Sequence, residues 1–357
     1  MSVDKSLDHF VARMPKAELH VHLEGSIQPA TLLELARRRG VDLPADDEEG
    51  LRQWFRFRDF EHFVHIYLTC CRCLRDPEDF QLVMDEFLAE QERQNVLYSE
   101  VHFTIGTHLA NGVNGEEVAA ALFETLAEAE SRFGVRARLI PDIVRDVGSQ
   151  RADETLEWAL AGRGRGVAAL GLSGFESSPD EPYREHFQVA LQEGLHRVAH
   201  AGEHEGPATI RSALDVCQAE RIGHGIRAVD DPDLVAELAN RGTPLEISPT
   251  SNVRLGAVSE IGEHPFDRLW RAGVAVTVNS DDPPQFETTI TDEYRNLAQA
   301  FGYGAADLAS FSWTALQQAF LEPTARARLE REFKRRFLDL GVALENERFD
   351  VVDGSVA

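Results

Sequence analysis

The chain has 357 residues, 43% of them hydrophobic, and its 36 basic against 61 acidic side chains leave a formal net charge of −25. A surface this acidic repels phosphate backbones and anionic lipid, so nucleic acid and membranes are excluded as expected partners and a small molecule is favoured. Apolar runs are short and broken by charge, and Met1-Ser2-Val3-Asp4-Lys5-Ser6-Leu7-Asp8 has no apolar signal-peptide core, so a cytoplasmic protein is expected. Nothing in the composition bears on oligomeric state.

Short apolar runs alternate with helical patterns along the whole chain. The first strand reads from Ala17 to Leu23, followed by a helix from Pro29 to Arg39 with proline where its missing N–H costs nothing. Residues 55–94 read as two helices, Phe60 to Cys73 and Pro77 to Gln94, an aromatic-rich insertion and a candidate lid. Cys70, Cys71 and Cys73 lie in it without a zinc-ligand spacing, and Cys217 stands apart, so all four read as reduced packing thiols.

Further strands are predicted at Val96 to Phe103, Arg138 to Val144, Val167 to Leu172, Arg197 to Ala201, Arg221 to His224, Pro244 to Ser248 and Val274 to Val278. Helices between them are predicted at Gly115 to Phe133, Arg151 to Ala161, Pro182 to Gly194, Pro207 to Gln218, Pro232 to Arg241 and Pro265 to Ala272, with three more in 290–340. Eight strands at this spacing predict an α/β fold, a (β/α)8 TIM barrel with C-terminal helices, as one domain over 1–357. An open doubly wound sheet is the other solution, but the glycine-rich phosphate turn it usually carries after the first strand is missing.

Polar clusters stand at the predicted C-terminal ends of four strands, where a barrel gathers its active site. They are His20-Val21-His22, His200-Ala201-Gly202-Glu203, Gly223-His224-Gly225 and Asn279-Ser280-Asp281-Asp282-Pro283. His20 and His22 leave one face of a strand. With His200 and one of Asp281 and Asp282 they suit a single zinc whose last position holds water. Glu203, three residues past His200, could be kept protonated to donate to a substrate ring nitrogen, and His224 could orient a water or take its proton.

These blocks, with Leu23-Glu24-Gly25 and Ser248-Pro249-Thr250-Ser251-Asn252, resemble the signature of the adenosine deaminase-like amidohydrolases, in order over about residues 14–340. The resemblance implies zinc-dependent replacement of the 6-amino group of a purine by oxygen, releasing ammonia. It implies His20, His22, His200 and Asp281 as metal ligands, Glu203 as the acid on N1, and His224 positioning and deprotonating the water. Asp282 would pair with N7 and the backbone N–H of Gly174 with N3. Glu24 stands where adenosine deaminases proper carry an aspartate for the ribose 5′-hydroxyl. The family's adenine and aminodeoxyfutalosine deaminases carry glutamate there, whereas Leu172-Ser173-Gly174 is similar to the nucleoside-binding form. A nucleoside substituted at its 5′ position, 6-amino-6-deoxyfutalosine, fits both, which implies a place in an alternative menaquinone pathway.

Other candidates read mainly as supporting or surface groups: His204 and Glu205 beside Glu203, His62, Phe63 and His65 in the lid, and Arg254 after strand seven. His102, Thr104 and His108 follow strand two on the active-site side, where one of them could meet a ribose or a 5′ group. Asn252 could simply satisfy its own turn. A two-metal phosphoesterase on the same barrel would need a bridging Lys or Glu from strand four, and Val167 to Gly174 offers neither.

Overall fold

The structure is a computed structural model describing residues 5–145, 147–345 and 348–352, so the first four residues of the stretch read for a signal-peptide core lie outside the described residues. Its eight main strands are β1 (Lys16–His22), β2 (Val96–Phe103), β3 (Arg136–Val144), β4 (Ala169–Ser173), β5 (His196–Ala201), β6 (Arg221–His224), β7 (Leu245–Ile247) and β8 (Val276–Val278). All pair in parallel in sequence order, as a right-handed β-α-β succession requires. Side chains on both strand faces are buried, which explains why these segments read as apolar runs rather than alternating patterns.

The barrel closes between β8 and β1 through a side chain as much as a ladder. β8 stops at Val278, and the Asn279 amide oxygen then accepts the backbone N–H groups of Leu19 (2.9 Å) and His20 (3.1 Å). Two residues further on, Asp281 pairs with Val21 in an isolated parallel bridge and exchanges backbone hydrogen bonds with His20 and His22. The closing seam therefore sets the first and last strand ends against each other, where the two halves of the His-x-His and Ser-Asp-Asp blocks must meet.

The helices outside carry ordinary caps. Asn114 accepts from the N–H groups of Glu116 and Glu117 at the start of Gly115–Phe133, and Gly134 ends it in the left-handed region. Among the described residues, five α-helices were not legible from periodicity: Lys5–Arg13, Glu48–Phe55, Ile105–Ala110, Pro249–Arg254 and Pro283–Phe286. The candidate lid is narrower than 55–94. Phe60–Cys73 leans over the barrel mouth, while Pro77–Arg93 packs on Gly115–Phe133 and β2 as an outer-layer helix. The tail forms Ile290–Phe301, Ala305–Gln318 and Pro323–Asp339, followed by an antiparallel hairpin of β9 (Val342–Glu345) and β10 (Arg348–Val351). That hairpin was not among the predicted elements. The four cysteines are free and buried, and no described helix is long and apolar enough to cross a membrane.

A charged network fills the lower barrel. Arg221 lies between the carboxylates of Glu100 and Glu246, its guanidinium 3.7 Å from the centroid of the Phe320 ring. Glu100 also accepts from the Tyr98 hydroxyl and the Phe320 backbone N–H, so the pairing is saturated.

Candidate active site

At the opposite end, four side-chain atoms converge. His22 Nε2 is 3.2 Å from His200 Nε2, and Asp281 Oδ1 lies 3.3 Å from His22 Nε2 and 3.6 Å from His20 Nε2. Ligands held at zinc's bond length of ~2.0–2.1 Å in a tetrahedron would stand ~3.4 Å apart, which these separations match. The rest of two of the rings is arranged accordingly. His20 donates from Nδ1 to Glu246 (2.9 Å) and His200 donates from Nδ1 to the Leu172 carbonyl (3.0 Å). Those bonds leave the Nε2 lone pairs facing the centre, the usual outer support of metal-bound histidines. His20 Nε2 is buried and makes no hydrogen bond among the described residues. Burial opposes charge on His20 and His22, yet the surrounding carboxylates outweigh it and push them up to about 10 and about 9. The centre therefore favours positive charge, which a divalent cation would supply while the imidazoles stayed neutral.

The catalytic candidates hang on strained or anchored turns around this centre. His224 (φ 61°) and Asp281 (φ 65°) sit in the left-handed region without being glycine, a cost that the surrounding structure must sustain. Ser251 donates to Asp281 Oδ2 (2.6 Å) and Asn252 meets His224 Nδ1 (3.2 Å), so adjacent residues of the short helix Pro249–Arg254 hold two of the groups. Glu176 accepts the backbone N–H groups of Gly202, Glu203 and Glu205, which fixes the turn carrying Glu203. Gly174 has φ 90°, and a side chain there would press on the Arg145 backbone. Arg145 in turn binds Asp180 and the His200 carbonyl (2.9 Å each).

The adenosine deaminase family model matches residues 15–335. This chain belongs to the adenosine deaminase family. It is a deaminase, a hydrolase acting on C–N bonds. Among similar proteins, the aminodeoxyfutalosine deaminase of Streptomyces coelicolor is 39% identical over 92% of this chain and 86% of its own length. The adenine deaminase of the same organism is 38% identical over 91% and 94%. A solved amidohydrolase from Burkholderia ambifaria with bound zinc is 25% identical, with a TM-score of 0.88 over 95% of both chains.

In the deaminase, a cavity of about 360 Å³ opens above the centre. His22, His200, Glu203, His224, Asp281 and Asp282 form its inner end, with Gly174 beside them. Val64, Leu68, Ala110, Val144, Val147 and Phe175 give the cavity apolar walls, with Thr107, Asn111 and Arg145 among them. Phe60 closes over it, its ring 5.4 Å from Phe175 and 5.1 Å from His204.

Two expectations change. Glu24 does not line the cavity: it is fully buried, and its carboxylate accepts from Thr104 N–H (2.8 Å), Thr104 Oγ1 (2.6 Å), His108 (3.0 Å) and Tyr67 (3.1 Å). Burial alone would raise its pKa, but His108 and Thr104 hold it down at about 2. Three of these donors meet Oε1 and Tyr67 meets Oε2, and Tyr67 and Thr104 themselves line the cavity that Glu24 does not reach. Glu203 is not kept protonated. Burial raises it, but His224 and His204 outweigh that and hold it below the usual carboxylate range. Asp282 goes the other way, pushed well up by burial and by the charge of Asp281.

The lesser candidates scatter. Phe63 and Thr104 line the cavity. His62 accepts the Arg58 N–H and, with His65, packs on Trp54. His102 is buried behind the metal imidazoles, bonded to Asp142 (2.9 Å), and Arg254 pairs with Glu287. His204 pairs with Glu203 (3.3 Å). Sequence reasoning missed Arg145 and Glu176, which line the cavity, and Glu246 and His264, which reach the site through another residue. Glu176 and Glu246 lay beside recognised blocks, two residues past Gly174 and two before Ser248.

Proposed function

We propose that the enzyme hydrolyses the 6-amino group of a purine nucleoside carrying a 5′ substituent, 6-amino-6-deoxyfutalosine being favoured, with one zinc per chain. The observation that carries the substrate preference is the outer cavity. A purine needs only the inner end, where Gly174, Glu203 and Asp282 converge. The apolar walls beyond it call for a further, largely apolar group. The identity to an aminodeoxyfutalosine deaminase is in keeping with this.

Zinc held by His20, His22, His200 and Asp281 would lower the pKa of a water toward ~7. Glu203, resting as a carboxylate, accepts a proton from that water and delivers it to N1, leaving C6 open to attack. The C6–O bond forms, the C6–N bond breaks, and the amino group leaves as ammonia with the second proton. Asp282, kept protonated, donates to N7, which has only a lone pair to offer. The Gly174 N–H serves N3.

Adenine is the second reading, supported by an adenine deaminase being almost as similar. Steady-state kcat/KM for 6-amino-6-deoxyfutalosine, adenosine, deoxyadenosine and adenine decides. The expected result is the highest value for the 5′-substituted nucleoside. Preference for adenine would overturn the substrate assignment, and turnover of none would overturn the reaction.

A further inference from the structure

One buried chain of hydrogen bonds reaches the site from a direction that no ligand or substrate contact uses. It begins at a backbone group whose role is fixed: the Phe266 N–H donates to His264 Nδ1 (3.1 Å). His264 must therefore carry a lone pair on Nδ1 and, being neutral, its hydrogen on Nε2. Burial and the nearby His224 hold its pKa down at about 3, so it stays neutral. His264 Nε2–H meets Asn252 Oδ1 (3.1 Å), which fixes the orientation of the amide and turns its NH2 toward His224. That NH2 donates to His224 Nδ1 (3.2 Å). His264, Asn252 and His224 are all buried, so water does not compete for these groups.

We infer that His264 and Asn252 are positioning residues that lock His224 in the tautomer with its hydrogen on Nε2. That nitrogen faces the space between Glu203 Oε2 (3.8 Å) and Asp281 Oδ2 (3.9 Å), too far from either to bond it. Its hydrogen is offered to an oxygen entering that space. His224 then acts as a donor that orients the attacking water. The proton it was expected to remove goes to Glu203 instead, since a ring nitrogen already bearing hydrogen has no lone pair with which to accept another. This inference rests on the deaminase reading for its kinetic consequences, though not for the tautomer itself.

The test combines a spectroscopic and a kinetic readout on the metal-loaded enzyme. With 15N-labelled histidine, His224 being assigned by difference from His224→Gln, the ring shifts should show the Nε2–H form. Asn252→Asp keeps the shape but presents an acceptor to Nδ1, so it should switch His224 to the Nδ1–H form. It should lower kcat about 100-fold, the scale of one misplaced proton, with KM within about twofold. His264→Gln keeps a donor for Asn252 and should stay within about threefold of the parent, whereas His264→Leu should lose about tenfold, since a neutral hydrogen bond is worth about that much. An Nδ1–H signature in the parent enzyme would overturn the inference whatever the activity. So would parent-like kcat in both Asn252→Asp and His264→Leu. Turnover by no variant or parent, with the Nε2–H signature intact, would instead count against the deaminase reading alone.

Discussion

The two ends of the barrel treat buried charge in opposite ways. At the lower end Arg221, Glu100, Glu246, Tyr98 and Phe320 satisfy one another, and Lys16 donates to the Met14 and Gln94 carbonyls. At the upper end His20 Nε2, His22 Nδ1, Glu203 Oε1 and Asp282 Oδ1 are buried with no hydrogen bond among the described residues. Both sets sit in low dielectric, where unpaired polar groups are costly. The lower network is closed and serves stability, whereas the upper one turns unpaired polar atoms toward the cavity at the barrel mouth. Glu246 joins them: one oxygen binds Arg221 below and the other receives His20 Nδ1–H above.

This contrast breaks most visibly at the metal. His20→Ala removes a ligand and should abolish both zinc retention and turnover, read by metal analysis beside the ammonia assay. Glu203→Gln should keep zinc and the fold but lower kcat by ~10²–10⁴, the range of general acid–base catalysis. Near-parent rates in that variant would remove Glu203 from its role. Arg221→Met inverts the pattern. It strands Glu100 and Glu246 as buried, uncompensated carboxylates, and should cost about 3–5 kcal/mol in denaturant unfolding. Its kcat at low temperature should fall far less than that of Glu203→Gln.

The smallest expected effect is in acid. Glu24 lies between its ordinary 4.5 when unfolded and about 2 when folded, a depressed value. Its contribution to stability is therefore fully present above pH 4.5 and is lost as pH falls toward 2. Glu24→Gln should flatten part of that acid limb in thermal melts recorded between those limits. An unchanged limb would show that its four donors contribute nothing to the balance.

Much of the barrel was legible in the chain because its strands are buried on both faces and read as unbroken apolar runs. The convergence of His20, His22, His200 and Asp281 was legible too, since a His-x-His pair, a strand-end His and an Asp pair are unusual residues for strand ends. What stayed hidden has a common physical cause: a residue that acts through another carries no local pattern. Asn279 closes the barrel with its amide, Glu246 orients His20 from a strand interior, and Arg145 braces the His200 carbonyl from the end of β3. His264 lies 40 residues from the ring that it sets, and Asn252 looked like an ordinary turn residue. Glu24 was misread for the converse reason. Its position in a motif suggested a ligand contact, but the donors that saturate it, Tyr67, Thr104 and His108, come from segments 43 to 84 residues away.

Anomalous diffraction at the zinc edge from crystals of the purified enzyme tests the central claim most directly. One peak per chain should appear at bonding distance, ~2.0–2.2 Å, from His20 Nε2, His22 Nε2, His200 Nε2 and Asp281 Oδ1. A peak elsewhere, a pair of peaks, or none in enzyme that turns over would contradict it.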